Sequence, residues 1–312
     1  HSKCLLAFAC QPLTQHVLRE IQGISSIFFE SSEPITLDRG LMRRLSAHPK
    51  LGAYVDGQIC MGVKSGLSDA FVISEKTRDA ILSSNGEARK VIKPLLNGRD
   101  IRRYRIDWQN QFLLYMTHDL NIAHYPAVDR HLRAFKSALE KRSTRQEWYE
   151  LQQPQERYSA WLEGPKIIFP DIATQPRFAL DEQGYYGTNT VYFIPRTDRA
   201  LLGLLNSKVG FVYFQQICAG LEGGGGVYLR FFGQYLEGFP VPEAINCESQ
   251  HLTSLVTAMQ SLYQTLAAEK NPNGREFVQR QIDATDRRID QLVYELYGLT
   301  DDEIRIVEDA TQ

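Results

Sequence analysis

The 312-residue sequence has few cysteines, almost no net charge and no long apolar run, and each shortage excludes a class of protein. Five cysteines, at positions 4, 10, 60, 218 and 247, are scattered and never spaced as Cys-x-x-Cys. That excludes a disulfide scaffold and a zinc ribbon and points to a reducing cytoplasm. Thirty-five basic against 37 acidic side chains leave a formal charge of −2, which excludes a uniformly basic binder. A polyanionic partner must therefore be met by a local patch. The stretch Cys4–Cys10 is too short for a signal-peptide core. Ala200–Phe214, the longest later run, is cut by Asn206, Ser207 and Lys208, so no membrane span is expected. The sequence also lacks an initiator methionine, from which we expect a piece of a longer chain.

What is present suits a folded protein: 43% hydrophobic and 11% aromatic residues suffice for a sizeable core. Thr14–Ile21 and Leu37–Leu45 read as short helices, the second ending before Pro49. Tyr54–Val63 alternates like a strand broken by glycines, and Ala70–Ile73 reads as the next strand after the Lys64-Ser65-Gly66 turn. Phe112–Tyr115, Lys166–Phe169 and Val191–Ile194 are short apolar runs bounded by turn residues, as buried strands are. Between them, Tyr125–Arg142 and Arg199–Phe214 have helical spacing. The fold class predicted is mixed α/β (α+β). From Ser249 to Ala268 and from Phe277 to Tyr297 the pattern is helical only, and Asn271-Pro272-Asn273-Gly274 divides it into a hairpin. We therefore expect a connecting segment over 1–49, a mixed domain over 50–245 and a helical scaffold over 246–312.

Charge is segregated within this nearly neutral chain. Arg89–Arg105 holds seven cations against one acid, a net +6 over seventeen residues, and Arg130–Arg145 carries a net +5. Such segregation suits a protein that offers one face to phosphates, although a solvated helix face with ordinary ion pairs gives the same pattern. Catalytic look-alikes are incomplete. Pro170-Asp171 followed by Asp181-Glu182-Gln183 lacks the lysine of a nuclease core, so Asp171 is read as structural. Gly220–Gly226 precedes a strand-like segment instead of a helix and is read as a flexible loop. His118, His124 and His131 lack a metal-ligand spacing, and no Gly-x-Ser-x-Gly elbow exists.

Several segments, in order, resemble the TaqI-like C-terminal specificity domain of adenine-specific DNA methyltransferases and fused type II restriction–modification enzymes. They include Gly62-Val63-Lys64-Ser65-Gly66-Leu67-Ser68-Asp69-Ala70-Phe71, Ile92-Lys93-Pro94-Leu95-Leu96-Asn97-Gly98-Arg99-Asp100-Ile101 and Pro165-Lys166-Ile167-Ile168-Phe169-Pro170-Asp171-Ile172. Thr188-Asn189-Thr190, Leu202–Lys208, Tyr228–Phe231 and Phe239-Pro240-Val241-Pro242 continue the series over roughly residues 50–245. The resemblance implies a sequence-specific DNA recognition module with double-stranded DNA as its partner. It implies a methyltransferase domain of the same parent, with its S-adenosylmethionine, upstream of His1. No cofactor is expected in this chain, which should be non-catalytic by itself; Asn271-Pro272-Asn273-Gly274 lacks the second proline and the aromatic of a methyltransferase Asn-Pro-Pro-(Tyr/Phe) loop.

Residue expectations follow from both arguments. Lys93, Arg99, Arg102, Arg103 and Arg105 are expected at phosphates, since guanidinium forks suit that geometry. Lys64 and Ser65 sit in a tight loop that can approach a duplex. Thr188, Asn189, Thr190 and Arg230 carry groups able to read base edges. Each has a plainer alternative: Asn189 and Thr190 satisfying turn backbone, and Arg230 pairing with Glu237. Two rival functions stay open, a nuclease fragment and a module docking an acidic protein.

Overall fold

The computed structural model describes residues 39–218, 220–223 and 226–311. The expected Thr14–Ile21 helix and most of the 1–49 segment lie outside the described residues. Two four-stranded sheets form the body. The first has the order β1 (Cys60–Met61), β11 (Val191–Ile194), β7 (Lys166–Pro170), β9 (Ala179–Asp181), all antiparallel. The second runs β10 (Tyr186–Gly187), β3 (Ile92–Leu96), β6 (Gln111–Leu114), β2 (Val72–Ser74), with β10 parallel to β3 and the rest antiparallel. A three-stranded sheet joins β12 (Gly220–Gly223), β13 (Gly226–Arg230) and β8 (Ile172–Ala173), and β4 (Ile101–Arg102) pairs with β5 (Arg105–Ile106) alone.

Strand β7 is buried along its whole length, which explains its unbroken apolar run. Its one charge, Lys166, lies 2.7 Å from Asp181 and also donates to the Leu162 and Gly164 carbonyls. Asp181 in turn accepts from the backbone N–H groups of Gln183, Gly184 and Tyr185. Every donor and acceptor of this sealed pair is satisfied, as a buried charge requires. The carboxylate that resembled half of a nuclease core is thus closed to solvent.

Several boundaries differ from the sequence reading. Ser68–Phe71 is a helical turn, and β2 begins only at Val72. Leu51–Tyr54 is helical, so the expected Tyr54–Val63 strand shrinks to β1. The 125–142 helix is two pieces, Pro126–Arg133 and Lys136–Leu139. Arg199–Phe214 is also two helices, Arg199–Asn206 and Lys208–Ile217, because Ser207 caps the second by accepting from the Gly210 N–H. The glycine-rich 220–226 segment, expected as a loop, contributes two paired strands.

Helices Ile245–Ala268 and Pro272–Tyr297 form the expected hairpin. The first lies close against Arg199–Asn206 at Gly203, where a Cβ would stand 2.8 Å from Val256. The second buries Val278, Ile282, Ile289, Leu292, Val293 and Leu296. Gly298, at φ +61°, ends it, and a Thr300–Glu303 capping box starts helix Asp301–Asp309. That helix folds back so that Glu308 accepts from the Tyr294 hydroxyl and pairs with Lys208.

Candidate nucleic-acid interface

Between β10 and β11 the chain turns through Thr188-Asn189-Thr190, and backbone hydrogen bonds from several elements hold this turn. The Thr188 N–H donates to the Leu96 carbonyl at 3.1 Å, the Val191 N–H to Thr188 at 2.9 Å and the Asp171 N–H to Thr190 at 2.9 Å. From the other side, the Gly62 and Val63 N–H groups donate to the Val191 and Gly187 carbonyls. The two threonine hydroxyls are 2.8 Å apart, and Thr190 Oγ1 also accepts from the Gly98 N–H. Thr188 and Thr190 therefore build the turn. Asn189 at its tip is exposed and makes no hydrogen bond among the described residues. Its amide keeps a carbonyl and an NH₂ group for an outside partner, the pair that matches one base edge.

The Gly98 bond brings Arg99 beside the turn. Asn97 and Asp100 form a capping box here; Asp100, 2% exposed, accepts from the Asn97 N–H at 2.8 Å. Asp100 thus holds the loop. Its oxygen is 4.0 Å from Arg99, whose side chain is 75% exposed. On the opposite flank a parallel bridge joins Val63 to Thr188, so Lys64 follows directly. Lys64 is half-buried and has no ion pair among the described residues. The Lys64-Ser65-Gly66 loop is anchored to Gln153 and Gln152 through backbone bonds, and Gly66 takes φ +79°. Arg142 clamps it by donating to five carbonyls, of Leu139, Ser65, Glu150, Glu147 and Trp148. Burial holds the pKa of this guanidinium below the usual arginine range. Arg99 and Lys64 are thus each one residue along the chain from a partner of the turn, Gly98 at Thr190 and Val63 at Thr188.

The β4–β5 hairpin splits its arginines. Tyr104 occupies the tip at φ +65°, and its N–H donates to the Phe178 carbonyl. Arg102 and Arg105 share Asp107, at 3.4 and 3.3 Å. Arg103 points inward: Nε and Nη2 donate to the Asn206 carbonyl and Nη1 to Asp286 at 2.5 Å. Lys93 is also committed, 2.6 Å from Glu163 and over the Tyr186 ring. That contact lowers the Glu163 pKa. These two cations, expected at phosphates, are instead engaged by acids far away in the chain. Arg230 lies over Phe232 with no ion pair to Glu237; its charge faces Asp171, whose pKa burial raises and Arg230 opposes. The second basic stretch contributes Arg133 and Lys136 over Trp148, besides the Arg142 clamp.

Among the described residues no group of three or more His, Cys, Asp or Glu side chains is placed to hold a metal, and no helix is long and apolar enough to cross a membrane. The His118 ring lies 2.9 Å from Glu150, and its backbone N–H donates to Glu156 at 2.7 Å.

Residues 93–241 match the sequence family described as the TaqI-like C-terminal specificity domain. A curated relative, the type II methyltransferase M.BanIII of Aneurinibacillus aneurinilyticus, is 25% identical over 176 residues, 49% of this chain and 28% of the relative. Among solved structures, the type IIL restriction–modification enzyme MmeI in complex with DNA is similar at a TM-score of 0.58 and 13% identity, covering 80% of this chain and 34% of that one. The type IIG restriction endonuclease BpuSI gives a TM-score of 0.41 at 13% identity, covering 83% and 33%. The chain thus spans about a third or less of each relative's length.

Proposed function

We propose that this chain, whose residues 93–241 match a specificity domain, is the DNA target-recognition module of a type II restriction–modification enzyme or N6-adenine DNA methyltransferase. In this reading the methyl donor, S-adenosylmethionine, binds a methyltransferase domain elsewhere on the same parent, and the protein works in the cytoplasm. Residues 50–245 form the reading body and 246–312 its scaffold. The observation that carries the reading is the turn at 188–190: one unpaired amide side chain at the tip, with Arg99 and Lys64 each one residue along the chain from a partner of that turn. Phosphate contacts position a duplex without reading it, and base-edge contacts supply the choice. Arg99, Arg102, Arg105 and Lys64 are assigned to phosphates, and Asn189 to a base edge, with Arg230 beside it. Lys93 and Arg103 are left out because each has an acid of its own, Glu163 and Asp286, whereas Arg102 and Arg105 share the single carboxylate of Asp107.

The test is selection of bound duplexes from a random pool by the purified chain, followed by binding isotherms at several salt concentrations. A shared short motif and affinity that falls steeply with salt are expected. Equal binding of all duplexes, or preference for an acidic protein surface over DNA, would overturn the reading. Cleavage of DNA by the chain in the presence of a divalent metal would favour the nuclease alternative.

A further inference from the structure

Asn97 lies between the two residues through which β3 and the loop after it bond the turn at 188–190. The Leu96 carbonyl accepts from the Thr188 N–H at 3.1 Å, and the Gly98 N–H donates to Thr190 Oγ1 at 3.3 Å. Asn97 is therefore matched, residue for residue, with Asn189. The approach is close, since a Cβ at Gly98 would stand 3.0 Å from the Thr190 carbonyl oxygen. On the other side of β3 the Asn97 side chain is engaged: its Nδ2 donates to Gln111 Oε1 at 2.5 Å. Gln111 opens β6, in register with Leu95 of β3 and Ser74 of β2. Trp108 braces it there, donating from Nε1 to the Leu95 and Gln111 carbonyls at 3.0 and 3.3 Å while its ring meets Phe112 and Tyr185.

The bond from Asn97 settles which way the Gln111 amide faces. Turning that amide over would set its NH₂ group against the Asn97 NH₂ group, two donors without an acceptor. Gln111 Nε2 has no hydrogen-bond partner among the described residues, and it is not one of their sealed, unpartnered atoms. It therefore opens to solvent. Oε1 also keeps one lone pair, because an amide oxygen accepts two bonds. A donor and an acceptor thus remain on an amide of fixed orientation, the combination that matches N7 and N6 of adenine. The loop from Asn97 to Asp100 also receives the Asp107 N–H at the Asp100 carbonyl, and Asp107 is the carboxylate shared by Arg102 and Arg105. The amide pair is thus tied on one side to the reading turn and on the other to arginines assigned to phosphate. Strands β10, β3 and β6 are successive, with Gly187 opposite Leu96 and Leu95 opposite Gln111. Two strand spacings set Gln111 about 10 Å from the start of the turn, whereas base pairs follow one another at about 3.4 Å. The two amides cannot share one base pair.

We propose that Gln111, oriented by Asn97, reads an adenine of the target at a base pair distinct from the one read by Asn189. This rests on the DNA-recognition reading above and adds a second reading residue to it.

The experiment selects bound duplexes from a random pool with the full chain and with its Gln111→Ala, Gln111→Glu, Asn97→Ala and Asn189→Ala variants. Salt-dependent isotherms and a melting curve accompany each. Gln111→Ala should lose about 5- to 150-fold of the preference for adenine at one position, leaving the salt slope and the other positions unaltered. Asn189→Ala should relax a different position. Gln111→Glu keeps an oxygen for Asn97 and exchanges the free donor for an acceptor, so the same position should turn from adenine to cytosine, whose amino group donates. A merely structural role gives no such exchange. Asn97→Ala should weaken preference at the Gln111 position alone and add nothing there in a Gln111→Ala background; relaxation elsewhere overturns its positioning role. Unchanged preference in both Gln111 variants overturns the proposal, and so does an even loss of affinity for all duplexes. A relaxed position that is a G·C pair, or that coincides with the Asn189 position, overturns it as well. Where Gln111→Ala melts early, Gln111→Glu decides. Absence of any shared motif with the unaltered chain defeats the underlying DNA reading instead, and shows as such before any variant is made.

Discussion

Arg103 and Asp286 meet at 2.5 Å across 183 residues of chain, and this contact joins the tip of the β4–β5 hairpin to the long Pro272–Tyr297 helix. The same guanidinium holds the Asn206 carbonyl at the end of a third element. The other Asp286 oxygen is buried and unpartnered, so Arg103 is the group that offsets its charge. A residue inside the strongest basic run is thereby structural.

Arg103→Ala should therefore destabilise the fold by about 2–3 kcal/mol, the range for losing charged hydrogen bonds that leave a partner unmet. Urea denaturation measures this. The salt slope of duplex binding should stay at the unaltered value; a shallower slope would place Arg103 on phosphate after all.

Asn189→Ala should behave in the opposite way. Its side chain bonds nothing in the fold, so stability should shift by no more than about 0.5 kcal/mol. Discrimination at one base pair should fall by about 1–3 kcal/mol. Isotherms with matched and single-mismatch duplexes decide it, and undiminished discrimination at every position would remove Asn189 from the reading role.

Gly62 tests the support under that turn. A Cβ at this position would lie 2.3 Å from the Thr188 carbonyl oxygen and 2.4 Å from that of Gly187, so Gly62→Ala must push the turn aside. A loss of about 1–3 kcal/mol, as for overpacking, is expected together with weakened target choice. Gly86→Ala, where nothing lies within 4 Å of the added carbon, serves as the neutral control.

Asp290 gives the chain a pH dependence. Burial raises its pKa to about 6, against the accepting bond from the Lys208 N–H and the nearby Arg103 and Lys208 charges, with Asp286 adding to the rise. The folded protein then holds a proton that the unfolded chain releases near 3.8. Stability is greatest below that value and declines as pH rises through about 6, by on the order of 3 kcal/mol from this group. Asp290→Asn keeps an acceptor for Lys208 and should flatten the profile between pH 4 and 6, as measured by melting temperature. An unchanged profile would exclude Asp290 as its source.

The sequence made some of this legible. Strands β6, β7 and β11 appeared because they are buried on both sides and carry continuous apolar runs, and the Pro272–Tyr297 stripe appeared because its spacing is helical. Ala70-Phe71-Val72-Ile73 misled because four apolar residues fit either a strand or a buried helical turn, and packing chose both in succession. Counting charge in a window found Arg99 and Arg102. It gave no sign that Glu163 lies 70 residues from Lys93, or Asp286 183 from Arg103. The role of Thr188 and Thr190 in building the turn, with Asn189 left free, needed the backbone partners Leu96, Gly62, Val63 and Asp171, at the end of β3 and just beyond β1 and β7, to be seen.

The turn at 188–190 is held by peptide groups, by the hydroxyls of Thr188 and Thr190 and by one glycine beneath it, with no part taken by the side chain at 189. Its tip is consequently a nearly neutral place for heritable change. Under the reading role proposed for Asn189, an exchange at this one position would alter the DNA word that is read while leaving the body that presents it unaltered.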